Sequence, residues 1–137
     1  MSVEEENKAV VRRMYGYINQ REFDECYKLL DPECVFHSTE RDIDYTMSKQ
    51  FDAMLYAAFP DATVTIEKMV AEGDMVAFRV TFKGTHQSEF MGIASTGKKV
   101  EFANTHIFRI ADGRVAEGWS TVEFTLLMQQ LGAIPAQ

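Results

Sequence analysis

Apolar positions recur at helical spacing through the first part of the chain, and the pattern then changes to alternation. Val11, Met14, Tyr15 and Ile18 stand at i, i+3, i+4 and i+7, which predicts a helix running to about Gln20. Ser2-Val3-Glu4-Glu5 ahead of it fits a capping box. Phe23, Cys26, Tyr27 and Leu30 repeat the spacing and predict a second, shorter helix ended by Asp31-Pro32. Cys34 to His37 reads as a short strand, with His37 at its end before the polar loop Ser38 to Asp44. Met47, Phe51, Met54, Leu55, Ala58 and Phe59 predict a third helix, stopped by Pro60-Asp61.

Beyond Pro60 the period becomes two. Thr63 to Ala71 places Val64, Ile66 and Val70 on one side, and Glu72-Gly73-Asp74 turns the chain into a strand from Met75 to Lys83. Val76, Phe78, Val80 and Phe82 share one face of that strand. Gly84 predicts a bulge or sharp bend. An apolar loop around Phe90, Met91 and Ile93 and a turn at Ser95-Thr96-Gly97-Lys98 lead into a long strand, Lys99 to Ile110. Asp112-Gly113 is a hairpin signal, the next strand spans Val115 to Phe124, and Leu126 to Gly132 forms a short helix closed by glycine. Helices followed by a meander of strands define an α+β fold. The economical arrangement is a half-open cone: three N-terminal helices packed against a strongly curved, mainly antiparallel sheet, with a pocket between them and a short C-terminal helix.

Composition narrows what such a pocket serves. A chain of 137 residues fits one domain, taken as 1–137. The net charge of −7 opposes the counterion displacement that nucleic-acid binding requires. No apolar run approaches the roughly 20 residues of a membrane span. The acidic start Met1-Ser2-Val3-Glu4-Glu5-Glu6 lacks the features of an export signal, so a cytoplasmic location is expected. Cys26 and Cys34 read as reduced structural thiols. His37, His86 and His106 lack metal-ligand spacing, so no metal is expected.

Candidate chemistry concentrates on the last two strands. Phe102, Asn104, His106, Phe108 and Ile110 share one face, so an amide and an imidazole interrupt an apolar wall. Buried without partners they would cost a few kcal/mol, so each other, water or a ligand must satisfy them. The partner across the hairpin depends on parity. A two-residue loop places Trp119 opposite His106, and a three-residue loop with a bulge places Ser120 there.

Phe59-Pro60-Asp61, Ala71-Glu72-Gly73-Asp74, Gly84-Thr85-His86, Glu89-Phe90-x-Gly92-Ile93 with Thr96-Gly97-Lys98, and Ile107-Phe108-Arg109-Ile110-x-Asp112-Gly113 together resemble the SnoaL-like polyketide cyclase family. The likeness reaches Gln129-Gln130-Leu131-Gly132 and implies the cone-shaped nuclear-transport-factor-2-like fold. It also implies cofactor-free acid–base chemistry, an intramolecular aldol closure on an apolar, carbonyl-bearing compound. His106 matches the family's pocket histidine, and Ser120 stands where the catalytic aspartate follows the tryptophan. The family's Glu-His-Trp-Asp reads Glu117-Gly118-Trp119-Ser120, so the key carboxylate is missing. A serine hydroxyl is a poor base near neutral pH. The expectation is therefore His106 as the base, with an unperturbed pKa of about 6.5. Ser120 and Asn104 would hydrogen-bond the substrate, and Tyr15, Trp119, Phe78 and Phe108 would shape the pocket. His37 resembles by position the general base of steroid isomerases. The alternative is a binding protein that kept the pocket and lost the chemistry. Thr105, Ile107 and Arg109 on the outer sheet face are expected to meet a second copy in a homodimer.

Overall fold

The computed structural model describes residues 1–135, so the last two residues of the domain expected over 1–137 lie outside the described residues. Helix α1 spans Val3–Asn19, opened by the Ser2 hydroxyl, which accepts from the Glu5 amide at 3.1 Å. Val10, Val11, Met14 and Ile18 form its buried stripe. At its end the Asn19 side chain donates to the Val64 carbonyl and accepts from the Val64 amide, at 2.8 and 2.9 Å. That paired bond fastens the helix to the sheet.

The second helix is shorter than expected. Helix α2 is Phe23–Tyr27, and Leu30 already belongs to strand β1, Leu30–His37, which carries Pro32 inside it. Proline has no amide to donate, and the ladder of β1 is irregular between Leu30 and Val35. The polar segment expected to be all loop contains a three-residue strand, β2 (Asp42–Asp44), antiparallel to β1. Asp44 then caps helix α3, Tyr45–Ala58, by accepting from the Met47 amide at 2.9 Å.

Strands β3 (Thr63–Glu72), β4 (Met75–Thr85), β5 (Lys99–Ala111) and β6 (Arg114–Val122) complete a curved sheet of order β2-β1-β6-β5-β4-β3. Only the β1–β6 pair is parallel. Helix α4, Phe124–Gln130, follows at once, starting two residues earlier than expected. The expected α+β cone is therefore the fold found.

Two bulges set which residues face the helices. Ile66 pairs with Val80 and Lys68 with Arg79, so Glu67 is the extra residue in β3. Parity reverses there: Met69 and Ala71 pack on the core, and Val70, expected on the inner side, is 67% exposed. Gly84 is not a bulge, because β4 and β5 stay in register through Gly84 and Val100. Its missing side chain instead makes room for Phe59 and Ala62, whose atoms lie 3.2–3.3 Å from where a Cβ would stand. The loop from Ser88 to Lys98 folds against the end of α3, with Gln87 donating to the Ala58 carbonyl and Ser88 to Ala57. Buried His86 anchors it, stacked on Phe59 and bonded through Nδ1 to Thr96.

Candidate functional site

The hairpin between β5 and β6 decides the site. Asp112 and Gly113, at φ 53° and 75°, form a two-residue turn, and Ala111 pairs with Arg114. By that turn alone Trp119 would oppose His106. A bulge at Ala116, between the Ile110–Val115 and Arg109–Glu117 pairs, shifts the register by one and brings Ser120 opposite His106. The turn is thus the short one and the partner is the serine, a combination neither sequence alternative contained.

Gly118 and Ser120 consequently face inward. A Cβ on Gly118 would lie 2.6 Å from Phe36 Cδ1 and 2.9 Å from Phe108 Cδ1, so only glycine lets these rings meet across β6. Ser120 Oγ and His106 Nδ1 are 2.7 Å apart. The imidazole is flanked by Phe78 at 5.2 Å and Phe108 at 5.4 Å between ring centres, and the edge of Tyr15 meets Phe78 at 5.7 Å. Only part of the ring remains accessible, and enclosure in this aromatic setting lowers its pKa to about 4, because water no longer solvates the imidazolium. At neutral pH His106 is uncharged. An imidazole of such low proton affinity is a weak base toward a carbon acid and is better suited to donate a hydrogen bond.

Asn104 lies one step along the same face, and its side-chain oxygen is buried with no hydrogen-bond partner among the described residues. Tyr15 is enclosed as well, and its phenol pKa is raised well above normal, first by burial and then by the charges of neighbouring groups, Asp52 among them. Tyr15, Phe78, Asn104, His106, Phe108 and Ser120 are therefore brought together on the inner side.

Trp119 and His37 are not among them. Trp119 pairs with Ile107 on the outer face, 37% exposed, and does not shape the interior. His37 sits beside it, the rings 5.5 Å apart. Alternation in β1 turns Phe36 inward onto Phe108 and therefore His37 outward. His37 Nε2 lies 2.6 Å from Glu117 and Nδ1 lies 2.8 Å from Asp42. The bond to Glu117, then that to Asp42, raises the pKa of His37 by favouring the imidazolium. His37 and Trp119 border an outer depression of about 280 Å³ that also includes Ser38, Thr39, Thr105, Ile107, Ser120 and Thr121. His37 therefore stands on the face opposite to that of His106. A second depression, about 370 Å³ and bordered by Arg21 to Glu25, skirts the turn after α1 and holds none of the inner groups. Glu123 is engaged at the surface, accepting from the Ala103 amide and from Arg79.

One inner group escaped the sequence reading. Asp52 of α3 has its Oδ2 3.0 Å from the Tyr27 hydroxyl, and burial raises its pKa to about 6 despite that bond, which acts the other way. Its charge is felt by Tyr15, Tyr27, Tyr56 and Cys26. Among the described residues no group of His, Cys, Asp and Glu is placed to hold a metal ion, and no helix is long and apolar enough to cross a membrane.

A cone of helices and curved sheet, with an aromatic interior broken by a few polar groups, belongs to the nuclear-transport-factor-2-like class of folds. The profile of the SnoaL-like polyketide cyclases matches residues 8–131, and the chain belongs to that family. Among solved structures it is similar to AclR, a candidate hydroxylase from Streptomyces galilaeus, at 30% identity and a TM-score of 0.91, covering 96% of this chain and 99% of that one. It is also similar to IdmH, a candidate polyketide cyclase from Streptomyces antibioticus, at 29% identity and a TM-score of 0.81, covering 92% and 98%. A SnoaL-like protein from Jannaschia shares the fold at 23% identity, with a TM-score of 0.87 over 98% and 97% of the two chains. No curated protein sequence matches this chain.

Proposed function

We propose that this protein binds an apolar, carbonyl-bearing molecule against the inner face of the sheet and promotes proton transfer beside that carbonyl without a cofactor, as in a cyclase or isomerase. The carrying observation is the His106–Ser120 couple, 2.7 Å apart and walled by Phe78 and Phe108. With the serine hydroxyl donating to Nδ1, the imidazole proton resides on Nε2. A neutral imidazole of low proton affinity then serves as a donor to the carbonyl oxygen, which becomes more negative as an enolate forms. Asn104, with an unsatisfied buried oxygen, supplies a second polar contact, and Tyr15, Phe78 and Phe108 favour an apolar ligand. Membership of a cyclase family and the description of IdmH support ring closure by aldol addition as the reaction type.

Exchange of the hydrogens beside the carbonyl of tetralone in heavy water, followed by NMR, tests this reading. His106→Ala is expected to slow exchange about a hundredfold, the usual effect of removing one donor to a developing oxyanion. An unchanged rate would refute the role of His106. A second reading, a binding protein, is favoured by the serine at position 120, where the resemblance to the family implies a catalytic aspartate. Tight tetralone binding with no exchange would support it.

The outer face supports self-association. Ile107 and Trp119 stand there at 40% and 37% exposure, an apolar pair suited to a second copy. Sedimentation is expected to give a dimer for the wild type and a monomer for Ile107→Glu. A monomeric wild type would end this part of the proposal.

A further inference from the structure

A reaction that begins by removing a proton from carbon needs a base, and neither His106, held neutral with little proton affinity, nor Ser120 fills that role. The search for one among the inner groups leads to the helical wall. Asp52 shares a stripe of α3 with Tyr45, Lys49 and Tyr56, spaced at i−7, i−3 and i+4. The cations nearby are turned to other partners. Lys49 Nζ lies 5.4 Å from the centre of the Tyr27 ring and 5.0 Å from that of Tyr45, and the Arg21 guanidinium lies 5.2 Å from that of Tyr56. No salt bridge to Asp52 forms among the described residues, and Tyr27 is its hydrogen-bond partner. Tyr27 from α2 is bonded to it, and Tyr15 from α1, Cys26 from α2 and Tyr56 from α3 lie within reach of its charge. Tyr15 connects the two walls: it lies within electrostatic reach of Asp52 and packs on Phe78, whose ring contacts His106.

We infer that Asp52 is the general base of this protein, supplying from the helical wall the carboxylate that the resemblance to the family implies at the position of Ser120. The assignment rests on the acid–base reading above. A part-buried carboxylate bonded to a phenol, with no cation paired to it among the described residues, is costly to keep for structure alone, because asparagine would accept the same bond from Tyr27 without a charge. Burial places its proton affinity close to neutral, where a base both stays ionised and holds a proton well.

The steps balance without any other reagent. The Asp52 carboxylate takes the proton from the carbon beside the carbonyl. The C–H pair becomes the enolate double bond, and the carbonyl pair moves onto the oxygen held by His106 Nε2–H. For ring closure the enolate carbon bonds to a second carbonyl carbon of the same molecule, whose oxygen recovers the proton from Asp52.

The test uses the full chain, tetralone exchange in heavy water and tetralone affinity by calorimetry. Asp52→Asn is expected to lose exchange by about a hundred- to ten-thousandfold while affinity stays within a few-fold, a split that a merely structural residue would not produce. Wild-type exchange should rise with pH to a plateau, with a midpoint near 6. Tyr27→Phe should move that midpoint upward, since the lost bond favoured the ionised carboxylate. Exchange at the wild-type rate in Asp52→Asn overturns the assignment and leaves the His106 reading standing. No exchange by the wild type, with tetralone bound, overturns that reading and the base together. If Asp52→Asn fails to fold, an unmoved midpoint in Tyr27→Phe overturns the assignment.

Discussion

Asp52→Asn is expected to stabilise the protein at pH 8, by up to about 3 kcal/mol, while it removes the base. Burial pushes the folded carboxyl up to about 6 from its ordinary 3.8, so the folded state retains a proton over a range in which the unfolded chain has released it. Folding is therefore penalised progressively as pH rises from about 4 to about 6, and the full penalty persists above that range. Asparagine keeps the shape and still accepts from Tyr27, but carries no charge to desolvate. Urea unfolding at pH 8 and again below pH 4 measures the difference, which should vanish at the lower pH. Equal destabilisation at both would mean that the carboxylate serves the fold. Buried groups that cost stability and supply function are a recurring compromise in active sites.

His106 works in the opposite direction. Its folded pKa of about 4 lies below the ordinary 6.5, so its contribution is present above pH 6.5 and is lost as acid protonates the unfolded chain in preference. Between about pH 4 and 6 the two groups oppose each other, so the wild type shows less pH dependence there than either alone. Asp52→Asn removes one side of that balance, and its stability should fall more steeply toward acid.

The same residues explain what the sequence could and could not disclose. The stripe of α1, the Asp112-Gly113 turn and the alternation of β4 were legible, because period and turn chemistry are local properties. The shared face of Asn104 and His106 followed from the same rule. The placement of Trp119 was not legible, since the bulge at Ala116 carries neither glycine nor proline to mark it. The bulge at Glu67 concealed the outward turn of Val70 in the same way. Asp52 was missed because the apolar residues of α3 misplace its inner face. Phe51 and Met54, expected to pack inward, are 40% and 36% exposed, whereas Leu55, Ala58 and Phe59 are buried. The stripe Tyr45, Lys49, Asp52, Tyr56 was a usable signal, since amphipathic side chains lining a polar interior also repeat at helical spacing. The positional likeness of His37 to the steroid-isomerase base did not show its face, although alternation from Phe36 already turned it outward.

Ser120→Asp should convert His106 from a donor into a base. A carboxylate 120 side chain in the place of Oγ would accept from Nδ1–H, move the unprotonated nitrogen to Nε2 and stabilise the imidazolium. An adjacent opposite charge typically raises a histidine pKa by about one to three pH units. The NMR titration midpoint of His106, expected near 4 in the wild type, should rise accordingly. The informative background is Asp52→Asn. If the two positions are alternative seats for one carboxylate, adding Ser120→Asp to Asp52→Asn should recover at least tenfold of the lost tetralone exchange, now through Nε2, with its pH midpoint following the histidine rather than Asp52. A midpoint that stays near 4 would mean that the new side chain turns away from the ring. A raised midpoint without recovered exchange would mean that proton affinity on the sheet wall is insufficient. In that case the base must approach the substrate from α3, the side on which Asp52 stands.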